Sequence, residues 1–173
     1  MIRCSVACAG NPFPNGPHTV TGVPGNYTVV AYCSGNCGPY QQRYFVQADL
    51  SREKQADSGY GLVFGLNKGD FFYYLFVIYP QTKTFALLKQ VNEQWETLVD
   101  WTSSSNIRPD PQINTLAAYF DEGQISLYIN GDMVGEYYDP DPIDPGRVGA
   151  YADNGYMGLL VENFKVYAEN PME

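Results

Sequence analysis

This sequence of 173 residues is poor in the groups that most enzymes and nucleic-acid binders need, beginning with a single histidine. His18 stands between Pro17 and Thr19 in a breaker-rich stretch, with no partner signature for a Ser-His-Asp or Cys-His arrangement, and reads as a surface residue. Positive charge is scarce: 10 Lys+Arg against 19 Asp+Glu leave a net charge of -9, which repels a phosphate backbone and an anionic membrane surface alike. Nucleic acid is thereby set aside as a partner. Long apolar runs are missing too. The most apolar one, Phe71 to Tyr79, is bounded by Asp70 and Pro80 and falls far short of the roughly 20 residues of a spanning helix, so no membrane insertion is expected. Gly-rich phosphate loops and metallohydrolase His pairs are absent. Met1-Ile2-Arg3-Cys4 leads into Ser, Ala, Gly and Pro rather than an apolar signal core. The expectation is a piece of a longer secreted or anchored precursor, located outside the cell or at its surface.

What is present is strand material. Hydrophobic residues make up 45% and charged ones 17%, with 15 Tyr, 9 Phe and 2 Trp, a composition that packs on pleated surfaces. Asp70 to Trp101 reads as three strands folded back at Pro80 to Lys83 and at Val91 to Gln94, apolar on both faces. Such a sheet requires a second one against it, so the expected fold is all-β, a two-sheet antiparallel β-sandwich.

Eleven strands are expected along the chain. Residues 1–25, punctuated by Asn11-Pro12, Asn15-Gly16-Pro17 and Val23-Pro24-Gly25, read as coil packed on the domain. Asn26 to Cys33 and Gln42 to Leu50 follow as strands, and Gly59 to Leu66 as a third whose glycines suggest either a bulge or the close approach of a ligand. A second meander occupies Asn114 to Phe120, Gln124 to Ile129 and Met133 to Tyr138, turned at Asn130-Gly131, the strongest short hairpin signal. Val148 to Ala152 and Leu159 to Tyr167 complete the domain over residues 26–168, with a tail at 169–173.

The four cysteines fall as Cys4, Cys8, Cys33 and Cys37. No histidine supports a zinc set, and two disulfides suit an acidic, Lys-poor extracellular domain better than zinc or free thiols. Of three possible pairings we favour Cys4 and Cys8 reaching across to Cys33 and Cys37. Asp139, Asp141 and Asp144 share one Pro-rich loop with the oxygen chemistry of a calcium site, although the same pattern also describes a stiff solvated connection; no other cofactor is expected.

The order of GYGLVF, FFYYLFVI, FALLKQVNEQWETLVDW, INTLAAYFDEGQISLYINGDMV, GRVGAYA and VENFKVY resembles the concanavalin A-like lectin/glucanase superfamily, and within it bacterial laminin-G-like and 3-keto-disaccharide hydrolase-like jelly-roll domains. The resemblance implies two curved sheets and a concave face on which relatives bind saccharides, and it makes Asn114 and Asn130-Gly131 structural. The Glu-x-Asp-x-x-Glu pattern that would set two carboxylates on one face for glycan cleavage is missing. A non-catalytic carbohydrate-binding module is therefore the leading expectation. A glycoside-processing hydrolase of the 3-keto-disaccharide kind, or a structural or sensor ectodomain meeting a protein partner or a second copy, are the alternatives. If Phe72, Tyr74, Phe76 and Ile78 point into the core, Tyr73, Leu75, Val77 and Tyr79 point away from it, and Phe45, Gln47, Asp49, Trp101, Tyr119 and Tyr128 are expected to join Tyr73 and Tyr79 in one polar-aromatic surface. The competing reading is that Leu75, Val77 and Leu88 make this face too apolar for a sugar and that it is covered.

Overall fold

The computed structural model describes residues 2–3, 18–20, 29–32, 42–67, 72–153 and 158–168. All four cysteines lie outside the described residues, and so does most of the expected N-terminal coil. Among the described residues thirteen strands form: β1 (Ile2–Arg3), β2 (His18–Val20), β3 (Val29–Tyr32), β4 (Arg43–Arg52), β5 (Tyr60–Leu66), β6 (Phe72–Tyr79), β7 (Thr84–Val91), β8 (Gln94–Ser103), β9 (Asn114–Asp121), β10 (Gln124–Ile129), β11 (Asp132–Tyr138), β12 (Arg147–Ala152) and β13 (Leu159–Ala168). Eleven match the expected set. The other two, β1 and β2, correct the reading of residues 1–25 as coil alone: both pair with β13, and His18 opens β2 opposite Val161. Two or three residues between Gly and Pro breakers are too few to show the period-two pattern that reveals longer strands.

The strands make two antiparallel sheets packed face to face as a β-sandwich. One runs β1-β13-β4-β9-β10-β11 with β2 also on β13, and the other runs β3-β12-β5-β6-β7-β8. From β4 onward the chain changes layer between β4 and β5, between β8 and β9, between β11 and β12 and between β12 and β13. Three tight hairpins turn on consecutive residues with positive φ, at Asn92-Glu93, Glu122-Gly123 and Asn130-Gly131, the backbone of turns whose twist matches that of the strands they join.

The core lies between the layers. Tyr44, Val46, Ala48 and Leu50 of β4 meet Leu62 and Phe64 of β5, Tyr74, Phe76 and Ile78 of β6, and Phe120, Ile125 and Leu127 of the second meander. Its rings are arranged in offset and edge contacts: Tyr44 stacks on Phe120 at 5.1 Å, Phe64 on Tyr74 at 5.2 Å, and Phe76 meets Phe85 edge-on at 6.1 Å. The glycines of β5 have an internal cause. A Cβ on Gly61 would sit 1.9 Å from the Phe76 carbonyl oxygen, so the close approach is that of β6 rather than of a ligand.

Several polar groups inside are linked to one another. The Asn114 amide donates to the Tyr60 hydroxyl and the Arg108 carbonyl, both at 2.9 Å, and its oxygen accepts from Arg108 N and from Asn130 Nδ2. Asn130 in turn accepts from Thr115 N and donates to the Asn106 carbonyl. The two asparagines are thus structural, as the resemblance implies. Arg52, buried at the end of β4, donates to Asp110 at 2.7 Å and to the Ser58 hydroxyl at 2.8 Å, with its guanidinium 5.0 Å from the centre of the Tyr60 ring.

Candidate functional site

The expected polar-aromatic surface divides in two. Phe45, Gln47 and Asp49 alternate outward from β4, with Phe45 opposite Tyr119 of β9 and Tyr167 of β13, and Gln47 opposite Lys165. Tyr119 lies opposite Ser126, and Tyr128 opposite Ala117, on the same outer face of the seven-stranded sheet. Tyr73, Tyr79 and Trp101 lie on the outer face of the six-stranded sheet, across the full thickness of the core. The two groups therefore cannot touch one ligand together. The sequence-based grouping failed because side-chain alternation gives the side of a strand, whereas the sheet to which the strand belongs is set by the layer change after β4.

On the seven-stranded face the carboxylate of Asp49 is held by two donors, the Thr115 hydroxyl at 2.5 Å and Asn163 Nδ2 at 2.7 Å. Phe45 and Tyr167 pack at 6.3 Å. This face has the polar cross-strand pairing of a surface built to meet water.

The other face is apolar. Val63, Leu75, Val77 and Ala86 are at most 2% exposed and form a second cluster with Leu66, Tyr73 and Tyr151, separate from the main core. Strands β5 and β6 are accordingly buried on both sides. Tyr73, expected on an open surface, is buried as well, so the competing reading of a covered face holds for its centre.

Its β8 margin is different. Trp95 and Trp101 are 50% and 47% exposed, although large rings are usually drawn inward. Each is braced edge-on by a tyrosine of β6: Trp95 by Tyr73 with ring centres 5.6 Å apart, and Trp101 by Tyr79 at 5.2 Å. The two indoles are six positions apart on β8, whose pairing with β7 is irregular between them. An open recess of about 270 Å³ is lined by Tyr79, Thr82, Thr84 and Trp101, and the two threonine hydroxyls there lie 2.8 Å apart.

Tyr79 is fixed from behind. Its hydroxyl donates to Asp153 at 2.5 Å. A Cβ on Gly59 would fall 2.6 Å from the Tyr79 ring, so glycine is needed for the ring to lie where it does. Burial first, then the hydrogen bond to Asp153 and the charges of Asp153 and Asp57, raise the phenol above its ordinary range and keep it a donor. Trp95, Thr82, Thr84 and Asp153 were not among the sequence candidates for this surface. The even spacing of Trp95 and Trp101 was a usable signal, but the link from Tyr79 to Asp153 joins residues 74 apart in the chain.

The acidic loop after β11 has another arrangement than the expected calcium ligands. Asp139 is buried and accepts from Lys89 Nζ at 2.8 Å and from the Tyr74 hydroxyl at 2.7 Å, and its other oxygen accepts from Asp141 N. Asp141 and Asp144 stay exposed. Among the described residues no three His, Cys, Asp or Glu side chains are grouped to hold a metal. Lys89 was overlooked as a key residue because its partner lies 50 positions further along the chain.

No family model matches the sequence, and no curated protein does. Solved structures share its fold at low identity. The chain is similar to the carbohydrate binding module CBM66 from Bacillus subtilis, at 13% identity and a TM-score of 0.69, over 88% of this chain and 96% of that one. A Bacillus subtilis protein of unknown function with a galectin-like fold gives 16% identity and 0.65 over 88% and 86%, and CG-16, a homodimeric agglutinin from chicken liver, 11% and 0.59 over 82% and 100%. At these identities the likeness concerns architecture alone: the chain has the galectin-like jelly-roll sandwich.

Proposed function

We propose that this chain is a non-catalytic carbohydrate-binding module that holds a neutral saccharide along the β8 margin of its six-stranded sheet. The observation that carries the reading is the exposure of Trp95 and Trp101, each braced edge-on by a tyrosine. Sugar rings present flat C–H patches that lie against indole faces, and hydroxyls such as those of Thr82 and Thr84 satisfy the ring substituents. Braced rings lose little conformational freedom on binding, which keeps the ordering cost low. The charge of -9 favours uncharged glycans over sulfated or uronic ones. The kinship in fold with a carbohydrate binding module and an agglutinin supports the same class of ligand. Binding requires no cation in this reading, and the setting proposed is extracellular or on the cell surface, which follows from the expectation that the four cysteines pair as disulfides.

A glycan array followed by titration of tryptophan fluorescence with the retained oligosaccharides tests this directly. The expected result is saturable quenching that survives a chelator, is lost in Trp101→Ala, and releases no reducing sugar. Retention of no neutral glycan, or equal retention by a Trp95→Ala/Trp101→Ala double variant, would refute it. Turnover of a retained glycan would replace the module with a hydrolase.

A further inference from the structure

A cleft elsewhere on the molecule shares no residue with the Trp101 recess. Its walls are Asn67 after β5, Phe72 of β6, Lys89 and Val91 of β7, and Asp141 to Asp144 of the connection between β11 and β12. Its volume is about 570 Å³, within the range of roughly 300 to 1,000 Å³ in which small-molecule sites fall.

The polar part of the cleft is built rather than incidental. Lys89 is 4% exposed, and its ammonium donates to Asp139 at 2.8 Å and to the Asp141 carbonyl at 2.6 Å. Tyr74 donates to Asp139 and accepts from Ile143 N at 2.9 Å, which fixes the roof of the cleft to its floor. Asn67 Nδ2 donates to the Asp144 carbonyl at 2.6 Å and holds the far wall. An ammonium carries three N–H donors, and two are used among the described residues.

Chemistry narrows the occupant. An anion would find the Lys89 charge already neutralised by Asp139 and would face Asp141 and Asp144 at the mouth. A metal ion would find no ligand set, because Asp139 is engaged. A wholly apolar molecule would leave the remaining Lys89 donor desolvated, a loss of about 1–3 kcal/mol for an unsatisfied group. A neutral molecule with hydroxyls on one side and C–H groups on the other meets every wall.

We propose that this cleft is a second binding site, for a neutral polyhydroxylated ligand about the size of one sugar ring or a short polyol. One ligand oxygen accepts from the third N–H of Lys89, other hydroxyls donate to Asp141 and Asp144, and the C–H flank lies on Phe72, Val91 and Ile143. The site stands independently of the aromatic margin.

Amide chemical shifts of the labelled protein, followed during titration with glucose, galactose, N-acetylglucosamine and sorbitol, and with gluconate and glucosamine as charged counterparts, test the assignment. The expected result is saturable movement of Val91, Asp141 and Asp144 with at least one neutral ligand and weaker movement with its charged counterpart. Asp144→Tyr, an exposed change that blocks the mouth without touching the Lys89–Asp139 pair, should weaken binding at least tenfold, whereas Trp101→Ala should leave it within twofold. Lys89→Met, checked for folding by circular dichroism, should also abolish it. The proposal is overturned if no neutral ligand moves these amides at 100-fold excess, if Asp144→Tyr binds as tightly as the parent chain, or if a charged counterpart binds more tightly than the neutral one. Absence of any glycan binding at the Trp95–Trp101 margin of the parent chain, with the cleft still occupied, would overturn only the aromatic-margin reading.

Discussion

The two outer faces of this sandwich are made from strands of similar length and opposite design. On the seven-stranded sheet, β4 alternates strictly, with Tyr44, Val46, Ala48 and Leu50 inside and Phe45, Gln47 and Asp49 outside. On the six-stranded sheet, β5 is buried along its whole length and β6 along nearly all of it. The first pattern belongs to a sheet with one wet face and the second to a sheet closed on both sides. The closed face has its exposed aromatic groups at the β8 margin, where Trp95 and Trp101 meet solvent on a stiff support.

The largest expected effect tests the closure itself. Val77→Asp places a carboxylate at a position 2% exposed on the apolar side of β6, and the unpaired buried charge should cost about 3–5 kcal/mol or prevent folding. Gln47→Glu on the open face, opposite Lys165, should change stability by no more than about 0.5 kcal/mol. Chemical denaturation of both variants measures the difference, and similar losses would mean that the two faces are not distinct. Next comes Leu75→Ala, a truncation in the same closed cluster, with an expected loss of about 2–4 kcal/mol in the same experiment.

Alkali should act through the interior shared by both sheets. Burial, outweighing the lowering by the Asn114 hydrogen bond, pushes Tyr60 up to about 12, while an unfolded phenol titrates near 10. A raised folded value means that this contribution is complete below pH 10 and is lost as pH climbs towards 12, on the order of 2 kcal/mol for this residue. Tyr44 and Tyr74 are raised further in the same direction, chiefly by burial. The denaturation midpoint should fall steeply above pH 10, and a flat profile to pH 12 would contradict the packing of these phenols. Small in stability but the most informative for function is Trp101→Ala, which should cost under about 1 kcal/mol of folding yet weaken glycan binding at least tenfold, about 1.4 kcal/mol. If Tyr119→Ala produced that loss instead, recognition would belong to the open face.

Most of the fold was legible in the chain because its signals are local. Turn chemistry at Asn130-Gly131 and the alternation of β4 need only neighbouring residues to be read. The site was legible in part. Sequence pointed to Tyr79 and Trp101, but it joined them to Phe45, Asp49 and Tyr128, because nothing in a strand's own residues states which layer it enters. Asp139 looked like a metal ligand for a related reason: an acidic loop reads the same whether its carboxylate faces water or a lysine from a distant strand, and the Lys89 partner is fixed only by the packing of β7 under that loop.

The passage from β8 to β9, where the chain crosses between layers, is fastened at several points. Arg52 clasps Asp110, Asn114 exchanges hydrogen bonds with the Arg108 backbone, and Asn130 donates to the Asn106 carbonyl. A long Pro-rich connection is thereby converted from a tether into a bracket. Because Asn114 also donates to Tyr60 of β5, the bracket reaches from the seven-stranded sheet into the six-stranded one and braces the two layers at that end.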